Sequence, residues 1–266
     1  MKTLSTLAFA FLAATTPVAA QSIDNLAQAT LRPGWRTDAG EHIAGLEIAL
    51  QPGWITYWRA PGDTGIPPQF SFSGSAGIES VTPHWPTPQV IDYGGMRSIG
   101  YHDYVVFPLV ISADPDAAQL TLQGQIEIGV CKDICIPVTL DFAGILPAVG
   151  GSDGAIAGAL DARAISAAAG GVTDVTCTVT PLDDGLRVTA AITLPPRQGN
   201  EYVVIEAGDP SVWVSQAQVM RDGPVLNATV DMLHLAGGAF MLDRSALRMT
   251  VFGSERAVDI QGCAAG

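Results

Sequence analysis

Basic residues are scarce in this 266-residue sequence: 13 Lys and Arg stand against 26 Asp and Glu, a formal net charge of −13 at pH 7. A surface with this excess of negative charge repels phosphate groups, so we expect no binding to nucleic acid or anionic lipid. Long hydrophobic runs are missing as well. The best one, near the N-terminus, is too short to span a bilayer, so we expect no stable membrane insertion.

That short apolar run is typical of a secretory signal peptide. Lys2 supplies the positive start, Leu7 to Ala14 the apolar core, and Val18-Ala19-Ala20 the small residues of a cleavage site. We expect residues 1–20 to be removed by cleavage after Ala20. The style of the signal indicates export to a bacterial periplasm, a compartment in which disulfides form.

Cysteine is limited to four residues, which allow three pairings. Cys131 and Cys135 are so close in sequence that a disulfide between them closes a very small ring, which constrains the unfolded chain little. Disulfides of this kind are often strained, and strained exposed disulfides are the easily reduced ones. Cys131 and Cys135 are therefore the candidate residues for thiol–disulfide exchange.

The other two cysteines flank the C-terminal part of the chain. A disulfide between Cys177 and Cys263 closes a long loop, which the chain-entropy treatment values at about 4 kcal/mol. We predict that this second pair is a structural disulfide.

Lysine occurs only at positions 2 and 132. Lys132 lies between the two reactive cysteines, where an ammonium group favours the thiolate over the thiol. The adjacent Asp133 acts in the opposite direction, so the sequence leaves the net effect on the cysteine pKa open. The alternative for Lys132 is a solvated turn residue.

Alternation of apolar and polar residues predicts strands over most of the chain. The clearest run is 120–130, with apolar residues at even numbers, and the alternation resumes over 136–142. Both Cys131 and Cys135 have odd numbers. A pleat that continues to the strand ends therefore places them on the polar face, which favours reactivity.

The strand runs lie on both sides of one Ala-rich segment. This arrangement predicts an all-β fold of two β-sandwich domains joined by a short helical linker. We expect the helix over 156–168, with Asp153 as its cap. The expected divisions are the signal peptide 1–20, the first sandwich 21–150, the linker 151–169 and the second sandwich 170–266.

The first domain resembles a known family. The resemblance rests on the block from Gln51 to Pro68, on His84-Trp85-Pro86-Thr87-Pro88, on Gly100-Tyr101 and on the segment from Val130 to Pro137, in this order. Together these blocks are similar to the periplasmic N-terminal domain of the thiol:disulfide interchange protein DsbD, and most closely to its ScsB (suppressor of copper sensitivity) branch. The resemblance covers about residues 30–145.

This resemblance implies an immunoglobulin-like domain that relays reducing equivalents to periplasmic disulfide proteins. It implies that Cys135 forms the mixed disulfide with a partner and that Cys131 resolves it. It also implies a cap loop, in which we expect Tyr93 to shield the pair and Asp92 to be a nearby acid. The expected partners are thioredoxin-fold periplasmic proteins. Since the sequence shows no membrane helices and no thioredoxin motif, the membrane electron donor is expected to be a separate protein.

Two other functions remain open at this point. A copper or zinc site could combine the two cysteines with His84 or His102, and the copper association of the ScsB branch favours it. The histidines show no ligand spacing, however, and we expect neither a metal nor another cofactor. A non-catalytic adaptor would keep the cysteine pair permanently oxidised, so the sequence leaves open whether the chain is an enzyme of the protein-disulfide reductase type.

Aromatic residues cluster in the first block of the resemblance. Trp54, Tyr57 and Trp58 are predicted to pack in the core, because large aromatic side chains dominate the interior of sandwiches. A partner-binding aromatic surface is the alternative.

Overall fold

The computed structural model describes residues 26–62, 65–93, 96–114 and 117–266, with the side chains of Tyr93 and Met96 outside the described part. The predicted signal peptide also lies outside these residues, and its cleavage after Ala20 stays a prediction. In the described ranges, no helix combines the length and the apolar character needed to cross a bilayer.

The described chain is built almost entirely of strands, with a short helix near its middle. The strands of the N-terminal half are β1 (Ala27–Arg36), β2 (His42–Leu50), β3 (Ile55–Gly62), β4 (Gln69–Ser71), β5 (Ile78–Pro83), β6 (Gln89–Tyr93), β7 (Met96–His102), β8 (Tyr104–Ala113), β9 (Leu120–Cys131) and β10 (Cys135–Leu146). After helix α1 (Gly154–Asp161) follow β11 (Ile165–Ser166), β12 (Asp174–Leu182), β13 (Gly185–Thr193), β14 (Tyr202–Glu206), β15 (Val212–Val214), β16 (Gln218–Asp222), β17 (Val225–His234), β18 (Arg248–Phe252), β19 (Val258–Gln261) and β20 (Ala264–Ala265).

Strands β1 to β10 form the first sandwich. One sheet has the order β1-β2-β8-β5, and the other has the order β10-β9-β3-β7-β6, with β4 paired to β9. Leu46, Ile48 and Phe107 from the first sheet share a buried core with Ile126 and Ile128 from the second. The alternation read from the sequence therefore turns one face of each sheet inward.

Strands β11 to β20 form the second sandwich. Its sheets have the orders β11-β19-β18-β14 and β15-β17-β13-β12-β20, with β16 also paired to β17. Its core is a separate cluster that includes Cys177, which is fully buried. Cys177 forms a disulfide with Cys263, with 5.7 Å between their Cα atoms, and so joins β12 to the end of the chain.

The predicted all-β class, with two β-sandwiches and a short helix, is confirmed. Asp153 caps the helix by accepting hydrogen bonds from the backbone N–H groups of Ala155 and Ile156. The expected continuation of the helix to residue 168 is wrong, because Ile165 and Ser166 pair with β19 as a short parallel strand. Sheet pairing satisfies their backbone there, against the helical preference of the Ala-rich segment. The boundaries 21–150, 151–169 and 170–266 stay a prediction.

The two sandwiches share a packed interface. The core of the first one includes Tyr202 and Phe252 from the second, and Trp58 meets Phe252 edge-on at 5.7 Å between ring centroids. The Arg59 guanidinium lies 3.8 Å from the centroid of the Trp58 ring and donates two parallel hydrogen bonds to the Glu206 carboxylate. The second sandwich thus braces β3, a central strand of the first.

Candidate redox-active site

A disulfide between Cys131 and Cys135 closes the hairpin of β9 and β10. Cys131 is the last residue of β9 and Cys135 the first of β10, and the two face each other in the strand register. The sulfurs are 2.09 Å apart and the Cα atoms 4.2 Å. The intervening turn, residues 132–134, is exposed. Antiparallel pairing along both strands is what brings these two cysteines into bonding range.

The two cysteines differ in their access to solvent. Cys131 is buried, with 3% of its surface exposed, whereas Cys135 is exposed. The rate of disulfide exchange depends on which sulfur an incoming thiolate can reach. The geometry therefore favours attack at Cys135, with Cys131 as the leaving sulfur.

The prediction that both cysteines lie on a polar face is wrong for Cys131. A small apolar cluster, separate from the main core, covers it with Ile55, Tyr57 and Ile91. Ile55 of β3 stands directly opposite Cys131 in the register. The alternation of inward-facing and outward-facing residues along β9 was predicted correctly. Cys131 lies on the outer face of the sheet, but other side chains cover that face at this point.

The Tyr57 hydroxyl contacts both sulfurs. It donates a hydrogen bond to Cys131 Sγ at 2.9 Å and lies 3.1 Å from Cys135 Sγ. Burial raises the pKa of Tyr57, and a hydrogen bond with Ser98 opposes this effect only in part. The hydroxyl therefore stays protonated at neutral pH and can donate to a thiolate, which stabilises the charged form of a cysteine. Tyr57 is buried, as expected for core packing, but its polar end lies at the sulfurs.

Space for the Tyr57 ring depends on Gly129, two residues before Cys131 on β9. A β-carbon at Gly129 would lie 3.1 Å from the Tyr57 ring and 2.8 Å from Cβ of Ile66, closer than packed atoms normally approach. The Thr56 hydroxyl donates to the Gly129 carbonyl at 2.9 Å and holds β3 against β9 at this point. Gly129 thus allows the ring to lie where its hydroxyl reaches the sulfurs.

The two charged residues of the turn are exposed. The Lys132 ammonium lies over Gly53, 3.6 Å from the position that a β-carbon would take there. Gly53 has a φ of +79° and donates its N–H to the Asp103 carboxylate at 2.6 Å. Lys132 therefore lies close to the turn between β2 and β3. The influence of Lys132 and Asp133 on the cysteine pKa stays a prediction.

The predicted cap residues belong to the β6–β7 hairpin. Asp92 is exposed and forms an ion pair with Arg97 at 3.7 Å, and the Arg97 guanidinium lies 5.4 Å from the centroid of the Tyr202 ring. Ile91 of the same hairpin packs in the cluster around Cys131. The side chain of Tyr93 lies outside the described residues, so its shielding role stays a prediction.

The two histidines considered for a metal site lie apart from the sulfurs. His102 is opposite Ile55, which is opposite Cys131, so two strand spacings, about 10 Å, separate His102 from Cys131. His84 instead contacts Arg163, with 3.0 Å between Nδ1 and Nη1. Over the described part of the chain, no three or more His, Cys, Asp or Glu side chains are grouped so that they could hold a metal ion.

A β-sandwich that carries a hairpin disulfide with one accessible and one covered sulfur has the geometry that thiol–disulfide exchange requires. The family comparison is specific: residues 26–147 match the family described as "Thiol:disulfide interchange protein DsbD, N-terminal". The resemblance of this segment to the DsbD N-terminal family, stated from the sequence, is confirmed.

A solved structure extends the likeness to the second sandwich. The crystal structure of the N-terminal periplasmic domain of ScsB from Proteus mirabilis is similar at a TM-score of 0.66 and 21% sequence identity, covering 90% of this chain and 92% of that chain. At this identity the likeness shows a shared fold. The comparison with curated proteins found no match.

Replacing Tyr57 by phenylalanine is expected to raise the pKa of the more acidic of the two site cysteines by about one to two units. A hydrogen bond to a charged group contributes roughly 1.5–3 kcal/mol, and each unit of pKa corresponds to about 1.4 kcal/mol. Thiolate absorbance of the reduced protein, followed against pH, measures the shift.

The matched control for this substitution is Tyr104→Phe, which removes the hydroxyl of a tyrosine on β8, in the opposite sheet. An equal pKa in wild type and Tyr57→Phe would show that the hydroxyl does not stabilise a thiolate.

Proposed function

We propose that this chain is a periplasmic protein that relays reducing equivalents from a separate membrane electron donor to periplasmic disulfide proteins. The Cys131–Cys135 dithiol carries the electrons. The observation that supports this proposal most strongly is the contrast between the two cysteines. Cys135 is exposed, whereas Cys131 is buried and accepts a hydrogen bond from the Tyr57 hydroxyl. The match of residues 26–147 to the DsbD N-terminal family supports the same reaction.

The reaction runs in two exchange steps. In the reduced protein, the thiolate of Cys135 attacks a disulfide of the partner and forms a mixed disulfide, and one partner thiolate leaves. The thiolate of Cys131 then attacks the sulfur of Cys135, which reforms the Cys131–Cys135 disulfide and releases the second partner thiolate. Two electrons have passed to the partner, whose two thiolates take up protons from solvent.

Re-reduction of the Cys131–Cys135 disulfide uses the same two sulfurs in the reverse order. One thiolate of the electron donor's dithiol attacks Cys135, because this sulfur is the accessible one, and Cys131 leaves as a thiolate. The donor's second thiolate then attacks the donor sulfur of the mixed disulfide, which closes the donor's disulfide and releases Cys135 as a thiolate. The Tyr57 hydroxyl, 2.9 Å from Cys131 Sγ in the oxidised form, donates to the negative charge as it develops. Stabilising a leaving thiolate accelerates this step, since exchange is faster when the leaving group is less basic.

The residues around the pair have supporting roles in this proposal. Tyr93 shields the sulfurs until a partner docks, and Asp92 is an acid on the same hairpin. Lys132 and Asp133 adjust the thiolate pKa from the exposed turn. The signal peptide directs the chain to the periplasm, and the expected partners have the thioredoxin fold.

A transfer assay tests the proposal. The reduced protein is mixed with an oxidised periplasmic thioredoxin-fold protein, and the thiols of both are counted after acid quenching and alkylation. We expect the partner to gain two thiols for each Cys131–Cys135 pair that closes. A partner that stays oxidised while the chain stays reduced would favour the adaptor function instead.

A further inference from the structure

A cavity lies at the interface of the two sandwiches, away from the sulfurs. Its volume is about 360 Å³, and none of Cys131, Cys135 or Tyr57 lines it. Strand β3 and the segment after β5 form one wall, and the segment after α1 together with β18 and β19 forms the other. Its polar lining includes Arg59, His84, Thr87, Arg163, Arg248 and Asp259.

Arg163 brings an uncompensated positive charge to this cavity. Its Nε donates to the carbonyl of Leu160 at 2.9 Å, and its Nη1 lies 3.0 Å from Nδ1 of His84. Neither group carries a negative charge, and among the described residues no carboxylate pairs with Arg163. Such a cation stands out in a protein with twice as many acidic as basic residues.

His84 does not neutralise this charge. Burial lowers the pKa of His84 and the nearby Arg163 lowers it further, while the Glu41 carboxylate opposes them in part. The pKa stays below its ordinary value, so the ring is mostly neutral at pH 7. Because a guanidinium can only donate, Nδ1 accepts from Arg163 and the ring proton is on Nε2. His84 therefore adds a neutral N–H donor next to Arg163.

Arg59 and Arg248, the other two arginines of the cavity, each have N–H donors without a partner among the described residues. Arg59 uses Nε and Nη2 toward Glu206 and Thr250, and Arg248 uses the same two groups toward Asp259. A guanidinium has five N–H donors, and within the described ranges the Nη1 groups of both side chains form no hydrogen bond. Arg59 and Arg248 are each paired with one carboxylate, so Arg163 is the arginine of the lining that has no ion pair among the described residues.

Two residues that line the cavity each have a buried polar atom with no hydrogen-bond partner among the described residues. These atoms are Nε1 of Trp58 and the hydroxyl oxygen of Thr87. Unpaired polar atoms are rare in protein interiors, so these two leave the wall of the cavity incompletely satisfied by the described residues.

We propose that this cavity binds a small carboxylate anion, with Arg163 as its main charge partner. The planar guanidinium matches a carboxylate with two parallel hydrogen bonds, and the Nη1 groups of Arg59 and Arg248 supply further donors. Trp58 and Trp85 offer apolar surface to a short carbon chain. The volume lies in the range of small-molecule sites. This inference is independent of the exchange reaction, because it uses none of the redox residues.

The first test uses the unaltered protein. Sodium malonate is titrated into ¹⁵N-labelled protein at constant ionic strength, with sodium chloride as the reference. We expect saturable shifts of the indole N–H signals of Trp58 and Trp85, and no shift for Trp213, which does not line this cavity. Absence of saturable shifts would overturn the proposal. Sulfate binding as tightly as malonate would overturn the assignment to carboxylates.

The second test removes the charge. Arg163→Gln is expected to weaken malonate binding by roughly 10- to 100-fold, the effect of losing one charge-assisted hydrogen-bonded pair. Arg187→Gln is the matched control, because it removes one charge from an exposed pair with Asp231 on the second sandwich. Equal affinity in Arg163→Gln and wild type would contradict the proposed site. Should Arg163→Gln fail to fold, the indole signals of the wild type decide alone.

Discussion

Cys131→Ala is expected to accumulate a covalent complex with the partner, whereas Cys135→Ala is expected to abolish exchange. The reason is the difference in access between the two sulfurs: Cys135 is exposed, and Cys131 is 3% exposed beneath Ile55, Tyr57 and Ile91. Without Cys131, the mixed disulfide at Cys135 cannot be resolved from within the chain. Without Cys135, the remaining thiol is too well covered to attack a protein disulfide.

The measurement is a non-reducing gel or intact mass spectrum after each reduced variant is mixed with an oxidised thioredoxin-fold protein. We expect a one-to-one adduct with Cys131→Ala and none with Cys135→Ala or with the double variant. Circular dichroism shows whether each variant is folded. An adduct that forms equally well with both single variants, or better with Cys135→Ala, would contradict the assigned roles.

Removing the second disulfide is expected to lower the free energy of unfolding by about 4–5 kcal/mol. Cys177 and Cys263 are separated by 86 positions, and cross-linking so long a loop strongly restricts the unfolded chain in the entropy treatment. Cys177 is also fully buried in the core of the second sandwich. The change is large beside the total stability of an ordinary domain, about 5–15 kcal/mol.

Urea denaturation of Cys177→Ala/Cys263→Ala against wild type measures this loss. The matched control is Cys131→Ala/Cys135→Ala, in which the same chemistry is removed at a separation of only 4 positions. The entropy treatment gives that loop about 2 kcal/mol. If the control lost as much stability as the Cys177/Cys263 variant, the division into one structural and one exchangeable pair would be wrong.

Most of the fold follows from alternation in the sequence. The runs 120–130 and 136–142 predicted two strands, and the structure pairs them so that Val130 faces Ile136 directly behind the cysteines. Gly100, from the Gly100-Tyr101 block of the resemblance, also has a physical reason in the structure. A β-carbon at Gly100 would lie 2.1 Å from the Thr56 carbonyl oxygen, so only glycine lets β7 approach β3 here.

The site itself was only partly predictable. Proximity in sequence indicated that Cys131 and Cys135 pair, but the hydrogen bond from Tyr57 depends on the register of β3 with β9, which pattern reasoning does not supply. The burial of Cys131 depends on packing from the β6–β7 hairpin through Ile91. A tyrosine within a strand-like run of aromatic residues is a weak signal, because core packing gives the same pattern.

The interface of the sandwiches was the least predictable part. Arg59 and Glu206 are 147 positions apart, and no local pattern relates them. The carboxylate cavity beside them depends on this same long-range contact. In the sequence, the cavity corresponds to the block His84-Trp85-Pro86-Thr87-Pro88, which lines it. The exchange reaction does not use this block.

A redox titration with thiol counting tests the central claim most directly. The protein is equilibrated in glutathione or dithiothreitol buffers of graded potential, alkylated, and the labelled cysteines are identified by peptide mass spectrometry. We expect Cys131 and Cys135 to become reduced together at roughly −120 to −270 mV, the range of known exchange proteins, while Cys177 and Cys263 remain oxidised to below about −300 mV. A Cys131–Cys135 bond that survives those buffers as firmly as the second disulfide would contradict the account and leave the chain as a passive scaffold.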